Sequence, residues 1–408
     1  MKALFFTADL GGNVPPILAV AQELAGRGWN IDVAGLAAGE SAFVQPHFPA
    51  GIAAGPVSGM GITRIASIAR VTASRNARND AAAIIAASRP DVIAVDCLLL
   101  TPLRAALASG IPVVVLAHTV GQYWSRLYHP FTDASLDLFG VSLSRYWDQA
   151  AARLMLTDAE LDPGSRNPVL SHCTWTGSTE QASPPSPRAP GHRPRVLVSL
   201  STTDWPGMQP IYRRVIEALS HLPVDAVVTT GNAAFTDALN GTGNVEVHGW
   251  LDHAALMPQV DLLIGHGGHS TTFKALAHGI PVLVLPVNPV SDEAGIGDVL
   301  RARGLGMRLR PWARPRRLAA AITALLTDSA VHENAASHGR RLRSLRSGAS
   351  VAADHIVRIT ASRQPNSPEG TGTVTCSNPG SAAYAFSAAA EGSAGSGTSH
   401  SELRPLRR

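Results

Sequence analysis

The 408-residue sequence predicts an α/β protein of two Rossmann-like, doubly wound parallel-sheet domains facing a cleft. Three observations carry this. Short apolar runs ending in glycine or a polar residue alternate with stretches of helical spacing. That alternation occurs twice. A proline-rich segment, SPPSPRAPGHRP at 183–194, separates the two occurrences and reads as an extended linker. At roughly 150 residues per domain, the length suits two domains.

In the first half, Ala3 to Thr7 is a buried strand running toward Gly11-Gly12, and Ile17 to Ala25 a helix closed by Arg27-Gly28. Ile31 to Ala34 is a strand, Ala81 to Ala87 a helix stopped near Pro90, and Val92 to Val95 a strand with Asp96 at its end. Leu103 to Ala108 is a helix closed by Gly110, and Val113 to Ala117 a strand ending at His118. After the linker come strands at Val196–Leu200, Asp225–Thr230, Val245–Val247, Leu262–Ile264 and Val282–Leu285. Helices are read at Tyr212–Leu219, Thr271–Ala277, Leu318–Leu326 and Ala349–Ile359. The resulting boundaries are 1–182, linker 183–194, 195–345, a helix at 346–361 that returns to the first domain, and a tail at 362–408. The tail is rich in Ser, Gly, Ala and Pro and is expected to be disordered.

Composition excludes several classes. With 45% hydrophobic and 16% charged residues the chain is neither disordered nor a charged coiled coil. The net charge is +4, and no basic stripe interleaves with aromatics, so a nucleic-acid partner is not expected. The densest basic stretch, from Arg301 through Arg308, Arg310, Arg314, Arg316 and Arg317, reads as a solvated surface. Cys97, Cys173 and Cys376 form neither a disulfide framework nor a zinc pattern, which suits a reducing cytoplasm. No run supplies the ~20 apolar residues of a transmembrane helix, and surface association with a membrane stays open.

Two stretches stand out chemically. His266-Gly267-Gly268-His269-Ser270-Thr271-Thr272 lies between a strand and a helix. Its glycines allow close backbone approach, and hydroxyls sit at a helix start whose free N–H groups favour an anion, with His266 as donor or cation. This is the physical description of a diphosphate site. Residues 122–147 gather Tyr123, Trp124, Tyr128, Phe131, Phe139, Tyr146 and Trp147 in a chain only 5% aromatic. They form either packing under a loop or the wall of an apolar pocket.

The stretch VEVHGWLDHAALMPQVDLLIGHGGHSTTFKALAHGIPVLVLPVNPVSDE, followed by GLGMRL, resembles the donor-binding signature of the GT-B glycosyltransferases of the UDP-glycosyltransferase superfamily, especially bacterial natural-product enzymes. The resemblance implies an inverting transferase that takes a UDP- or TDP-linked sugar as co-substrate, an apolar small-molecule acceptor and no obligatory metal or cofactor. A homodimer remains open. It implies that Trp250 stacks on the base, His253 contacts it, and His266, Gly268, Ser270 and Thr271 hold the diphosphate. Asp292 and Glu293 match the pair that binds sugar hydroxyls, Glu293 standing where Gln is usual. Ser201 and Thr202 sit at another donor-contact position. The acceptor would lie near Gly12, Tyr123, Trp124, Tyr128 and Phe131.

The resemblance breaks at the catalytic base. The family usually carries His in its Gly-His-Val-x-Pro motif, whereas this chain reads Gly12-Asn13-Val14-Pro15. An amide takes no proton at neutral pH. Asp9 is the first substitute base and His118 the second. Asp96 matches the aspartate that orients the usual histidine, or else caps a helix. The rivals are a silent GT-B nucleotide-sugar-binding partner protein, favoured by Asn13, and a nucleotide-sugar epimerase, disfavoured by the aromatic segment. A dinucleotide dehydrogenase is poorer still, because the first turn lacks Gly-x-Gly-x-x-Gly.

Overall fold

Parallel strands need both faces covered, and the apolar runs of this chain meet that need in two separate sheets. The computed structural model describes residues 1–8, 12–36, 75–137, 142–186, 191–201, 207–231, 233–288 and 291–362. Asp9, Thr202 and nearly all of the expected tail lie outside them.

The first sheet consists of β1 (Lys2–Phe6), β2 (Asn30–Ala34), β3 (Val92–Asp96), β4 (Val113–Ala117), β5 (Ala152–Met155) and β6 (Thr174–Trp175). Its order is β2-β1-β3-β4-β5-β6, parallel throughout. Crossovers run through α1 (Val14–Gly26), α2 (Arg75–Ser88) and α3 (Leu100–Ala108). Three short helices, α4 (Gly121–Leu127), α5 (Pro130–Asp137) and α6 (Leu143–Trp147), occupy the aromatic segment. Alternate residues of one strand serve opposite cores. Leu4, Phe6, Ile93 and Val95 pack with Leu103 and Trp147, whereas Ala3, Phe5, Val92 and Ala94 pack with Ile17, Val20 and Leu24.

The second sheet consists of β7 (Arg195–Ser199), β8 (Asp225–Thr229), β9 (Val245–His248), β10 (Leu262–Gly265), β11 (Val282–Val284) and β12 (Gly306–Arg308), ordered β12-β11-β10-β7-β8-β9 and again parallel. Its helices are α7 (Met208–Ser220), α8 (His253–Leu256), α9 (His269–His278), α10 (Glu293–Ala302), α11 (Pro315–Thr327) and α12 (Ser329–Ser344). α12 has few apolar residues to announce it. Its start is fixed by Asp328, whose side chain accepts from the N–H groups of Ala330 and Val331.

The last helix, α13 (Gly348–Ala361), returns to the first sheet. Ala349, Ala352, Ala353 and Ile356 are buried with Ile17, Val20 and Leu24. Burying Ile356 alone contributes about 1.5–3 kcal/mol. Arg27 closes the contact through Asp354 at 2.7 Å. Gly348 enters against Gly177, where an added Cβ would come within 2.0 Å of the Gly177 carbonyl oxygen, so no larger residue fits without shifting the crossing. Both sheets belong to one compact unit, Met1–Gln364. Among the described residues no helix is long and apolar enough to cross a membrane.

Candidate active site

The order β1-β3-β4 places the ends of three adjacent strands side by side, and their C-terminal residues meet. Asn13, just before α1, donates through Nδ2 to Asp96 Oδ2 at 2.7 Å and to the Ala8 carbonyl at 2.8 Å. Thr7 Oγ1 donates to the same carboxylate oxygen at 3.3 Å. The other oxygen, Oδ1, accepts from the Leu98 N–H at 2.9 Å and lies 3.3 Å from His118 Nε2. Asp96 is 1% exposed. Burial pushes its carboxyl up, but the His118 charge and the hydrogen bonds from His118, Leu98 and Asn13 outweigh it and hold the group below the usual range. Burial likewise opposes a charged His118, yet Cys97 and Asp96 overcome it and raise the imidazole well above its ordinary value. Burial pushes the Cys97 thiol up.

Thus Asp96 joins the Asn13 amide to the His118 imidazole. Of the four expected catalytic residues the structure brings together Asn13, Asp96 and His118. Asp96, Cys97 and His118 also place one ligand atom each within 4.8 Å of one another, a spacing that could hold a metal ion. The Asp96 oxygens already serve several donors, and a protonated thiol must lose its proton to ligate.

The second sheet presents its own C-terminal edge. Gly267, after β10, has φ 97°, and a Cβ there would meet the Glu293 carbonyl oxygen at 2.8 Å. A Cβ on Gly268 would lie 2.4 Å from His266 Nε2. These two glycines therefore let the imidazole fold over the turn that starts α9. Burial pushes His266 down to about 4, so at neutral pH it is a neutral hydrogen-bonding group, and the cationic option drops out. Among the described residues its buried Nδ1 has no hydrogen-bond partner. The same is true of Asp292 Oδ2 at the head of α10, where burial pushes the carboxyl up to about 6. Two buried polar atoms left open on neighbouring loops are a costly arrangement unless a polar ligand meets them.

The other expected donor residues divide. Trp250 follows β9 and is 65% exposed, an open aromatic platform. Thr271 is half-buried in the first turn of α9. Ser201 is buried at the end of the β7 run. His253 is turned inward, with Nε2 3.0 Å from Thr229 Oγ1. Glu293 departs from the expected sugar contact. It is 4% exposed, and its Oε2 accepts from the N–H groups of Val287 and Asn288 at 2.7 and 2.8 Å, bracing the loop that carries Asp292. Ser270 donates to Glu180, whose other oxygen lies 3.4 Å from Lys274 Nζ. Glu180 and Lys274 went unread in the sequence. Lys274 was detectable as one of two lysines, four residues beyond Ser270 on a helix, whereas Glu180 stands in coil with no pattern around it.

The aromatic segment corrects the acceptor reading. Trp124 is 3% exposed and packs on Trp147 at 5.0 Å, and Tyr128 packs on Trp147 at 5.6 Å. Both are buried in the hydrophobic core, because three short helices fold the segment back onto α3 and the sheet. Phe131 is 80% exposed. Tyr123 does reach the junction, packing against both the first-sheet core and the cluster containing Phe273 and Val284. Among the described residues, a Cβ on Gly12 would meet nothing within 4 Å.

The two edges face one another. His269, the first residue of α9, stacks on Phe273 at 4.1 Å and places Nε2 2.9 Å from Thr157 Oγ1 just beyond β5. The charge on His118 is felt by both His269 and Asp292. A cavity of about 720 Å³ lies elsewhere, lined by residues of α2 and α3 together with Pro90 and Ile111 at the opposite edge of the first sheet.

The chain superposes on the crystal structure of glycosyltransferase VinC in complex with dTDP with a TM-score of 0.67 and 19% identity, covering 89% of this chain and 100% of that one. This is the GT-B fold. Residues 213–355, which lie in the second half of the chain, match the family described as Erythromycin biosynthesis protein CIII-like, C-terminal domain. The zeaxanthin glucosyltransferase of Pseudescherichia vulneris is 28% identical over 179 residues, 43% of either chain. The demethyllactenocin mycarosyltransferase of Streptomyces fradiae is 35% identical over 118 residues, 26% of this chain and 25% of that protein. The matched stretches thus span less than half the length of these relatives.

Proposed function

We propose that this GT-B protein is an inverting glycosyltransferase that moves a sugar from a nucleotide-diphosphate sugar to a small apolar acceptor. The observation that carries this reading is the Asp96–His118 pair at one sheet edge, close enough that the His118 charge acts on Asp292 at the other. An acid–base group on one sheet edge and polar binding atoms on the other are what transfer between two substrates requires. The VinC complex supports a dTDP-linked donor, with UDP as the alternative base. The relatives named as glucosyl- and mycarosyltransferases support the reaction class.

In this reading His118 takes the proton from the acceptor nucleophile through the ring nitrogen that Asp96 does not face. Asp96 orients the ring and stabilises the imidazolium as it forms. The nucleophile attacks the anomeric carbon opposite the diphosphate, and the bond from that carbon to the phosphate oxygen breaks. Neutral His266, Thr271 and the N–H groups at the start of α9 receive the departing charge, Asp292 holds a sugar hydroxyl, and Trp250 offers a face to the base. Asn13 fills the place of the usual base by holding the second Asp96 oxygen. The free buried thiols Cys97 and Cys173 support a reducing compartment for the enzyme.

Calorimetric titration of UDP, TDP and GDP into wild type and His266→Ala, without metal, tests the donor half. One nucleotide should bind wild type and fail to bind the variant. Turnover with the matching sugar donor then tests the reaction. Tight nucleotide binding with no transfer to any acceptor would favour a silent nucleotide-sugar-binding protein.

A further inference from the structure

The basic stretch that reads as a solvated surface divides in the structure. Arg301 and Arg308 pair with Asp298, and Arg303 donates to the Glu160 carbonyl at 2.6 Å. Arg310, Arg314, Arg316 and Arg317 are all exposed, and among the described residues none has a carboxylate partner. From Val299 to Thr327 the sequence contains no Asp or Glu to neutralise them.

The backbone arranges these side chains. Residues 309–314 alternate, with Leu309, Pro311 and Ala313 buried and Arg310, Trp312 and Arg314 exposed. Pro311 and Trp312 occupy a turn closed by the Ala313 N–H donating to the Arg310 carbonyl at 3.0 Å, and Arg310, Trp312 and Arg314 stand exposed around it. Pro315 then begins α11, and Arg316 and Arg317 stand exposed in its first turn. Cations there oppose the helix dipole, so the fold gains nothing locally from them. Trp312 is 64% exposed in their midst, a large indole set outward where burial was available on alternate residues. The segment leaves the C-terminal end of β12, next to β11, whose following loop carries Asp292. It therefore stands at the C-terminal edge of the second sheet, near the loop that carries Asp292.

We propose that Trp312 with Arg310, Arg314, Arg316 and Arg317 forms a docking surface for an anionic lipid bilayer, holding that sheet edge at the membrane. An indole suits the headgroup layer, where its ring is buried and its N–H stays wet. Guanidinium groups pair with lipid phosphates, each contributing roughly fivefold in partitioning at an anionic surface. A nucleic acid would use the same cations, but one exposed aromatic does not make a stacking track for successive bases. The inference stands independently of the proposed transfer reaction.

The test is co-sedimentation of the full chain with phosphatidylcholine vesicles, with and without phosphatidylglycerol. Wild type should bind only the anionic vesicles and lose binding as salt is raised. The variant R310Q/R314Q/R316Q/R317Q should lose binding by roughly several hundredfold. Trp312→Phe should abolish the tryptophan quenching that brominated lipid produces in wild type. The melting temperature of each variant, unchanged for surface substitutions, separates lost docking from lost folding. No binding to anionic vesicles would overturn the proposal. So would binding that survives the fourfold substitution, or equally tight binding of single-stranded polynucleotide that ignores Trp312.

Discussion

Asp96 holds His118 at 3.3 Å through Oδ1 and Asn13 at 2.7 Å through Oδ2. One buried carboxylate on β3 thus serves both the Asn13 amide, next to β1, and the His118 imidazole, next to β4. The strand order β1-β3-β4 makes this sharing geometrically simple, since β3 neighbours both β1 and β4. In the proposed reaction the base would sit two strands from Asn13 yet keep the same carboxylate partner and sheet edge.

The acid limb of the activity profile follows from this pair. A base must be neutral, and His118 is raised well above its ordinary value. Transfer should therefore rise with pH through a midpoint above the unperturbed histidine value of about 6.5. Asp96→Asn removes the partner charge and should move that midpoint down while slowing the reaction. The same shift bears on stability. With the folded value above the unfolded one, protonated His118 stabilises the fold fully below the unfolded value, and the contribution is lost as pH rises through the folded one. The pH profile of kcat/KM and urea denaturation across the same range check both.

Asn13 serves the fold as well as the site. Its Nδ2 group satisfies buried acceptors on Asp96 and Ala8. Asn13→Ala should cost about 1–3 kcal/mol, the penalty for leaving such groups unmatched. Asn13→Asp sets a second carboxylate against Asp96 in a buried place and should cost more. Denaturant midpoints of the three proteins would rank them.

Asp292 is pushed up to about 6 by burial, so the folded state prefers its protonated form. Stability from this group is present at acid pH and is lost as pH rises from the ordinary carboxylate range through about 6. Asp292→Asn removes the loss and should gain on the order of 3 kcal/mol at alkaline pH. The same variant should weaken donor use, since its Oδ2 is the atom offered to a sugar hydroxyl. Thermal melts against pH and kcat/KM for the donor should move in opposite directions.

Glu180 presents a carboxylate to Ser270 and Lys274 on α9, where the proposed diphosphate would rest. An incoming dianion meets a like charge until Glu180 gives way. Glu180→Gln should tighten nucleotide diphosphate binding about tenfold, equivalent to 1.4 kcal/mol. Weaker binding in calorimetry would instead make Glu180 an organiser of Ser270.

Much of this was legible in the residues because apolar runs bounded by turns mark parallel strands strongly. Asp96, His118 and His266 could each be placed at a strand end, and strand ends decide what meets. Orientation was not legible. Trp124 and Tyr128 share a segment with Tyr123, but only the path of three short helices sends the first two into the core and leaves Tyr123 at the junction. Glu293 sits beside Asp292 in sequence, yet the roughly 100° step between consecutive helix residues at the head of α10 turns it onto loop amides. α12 escaped because its apolar face is thin and its stability comes from a cap and from Ala335 and Gly339 against α9.

The measurement closest to the central claim is sugar transfer from the nucleotide-linked donor to a panel of small apolar hydroxylated acceptors by wild type and His118→Ala, alongside nucleotide affinity for both. Wild type should transfer, and the variant should lose about 10²–10⁴ in rate while binding nucleotide as before. Transfer by His118→Ala at the wild-type rate would contradict the account, because the base would then lie elsewhere.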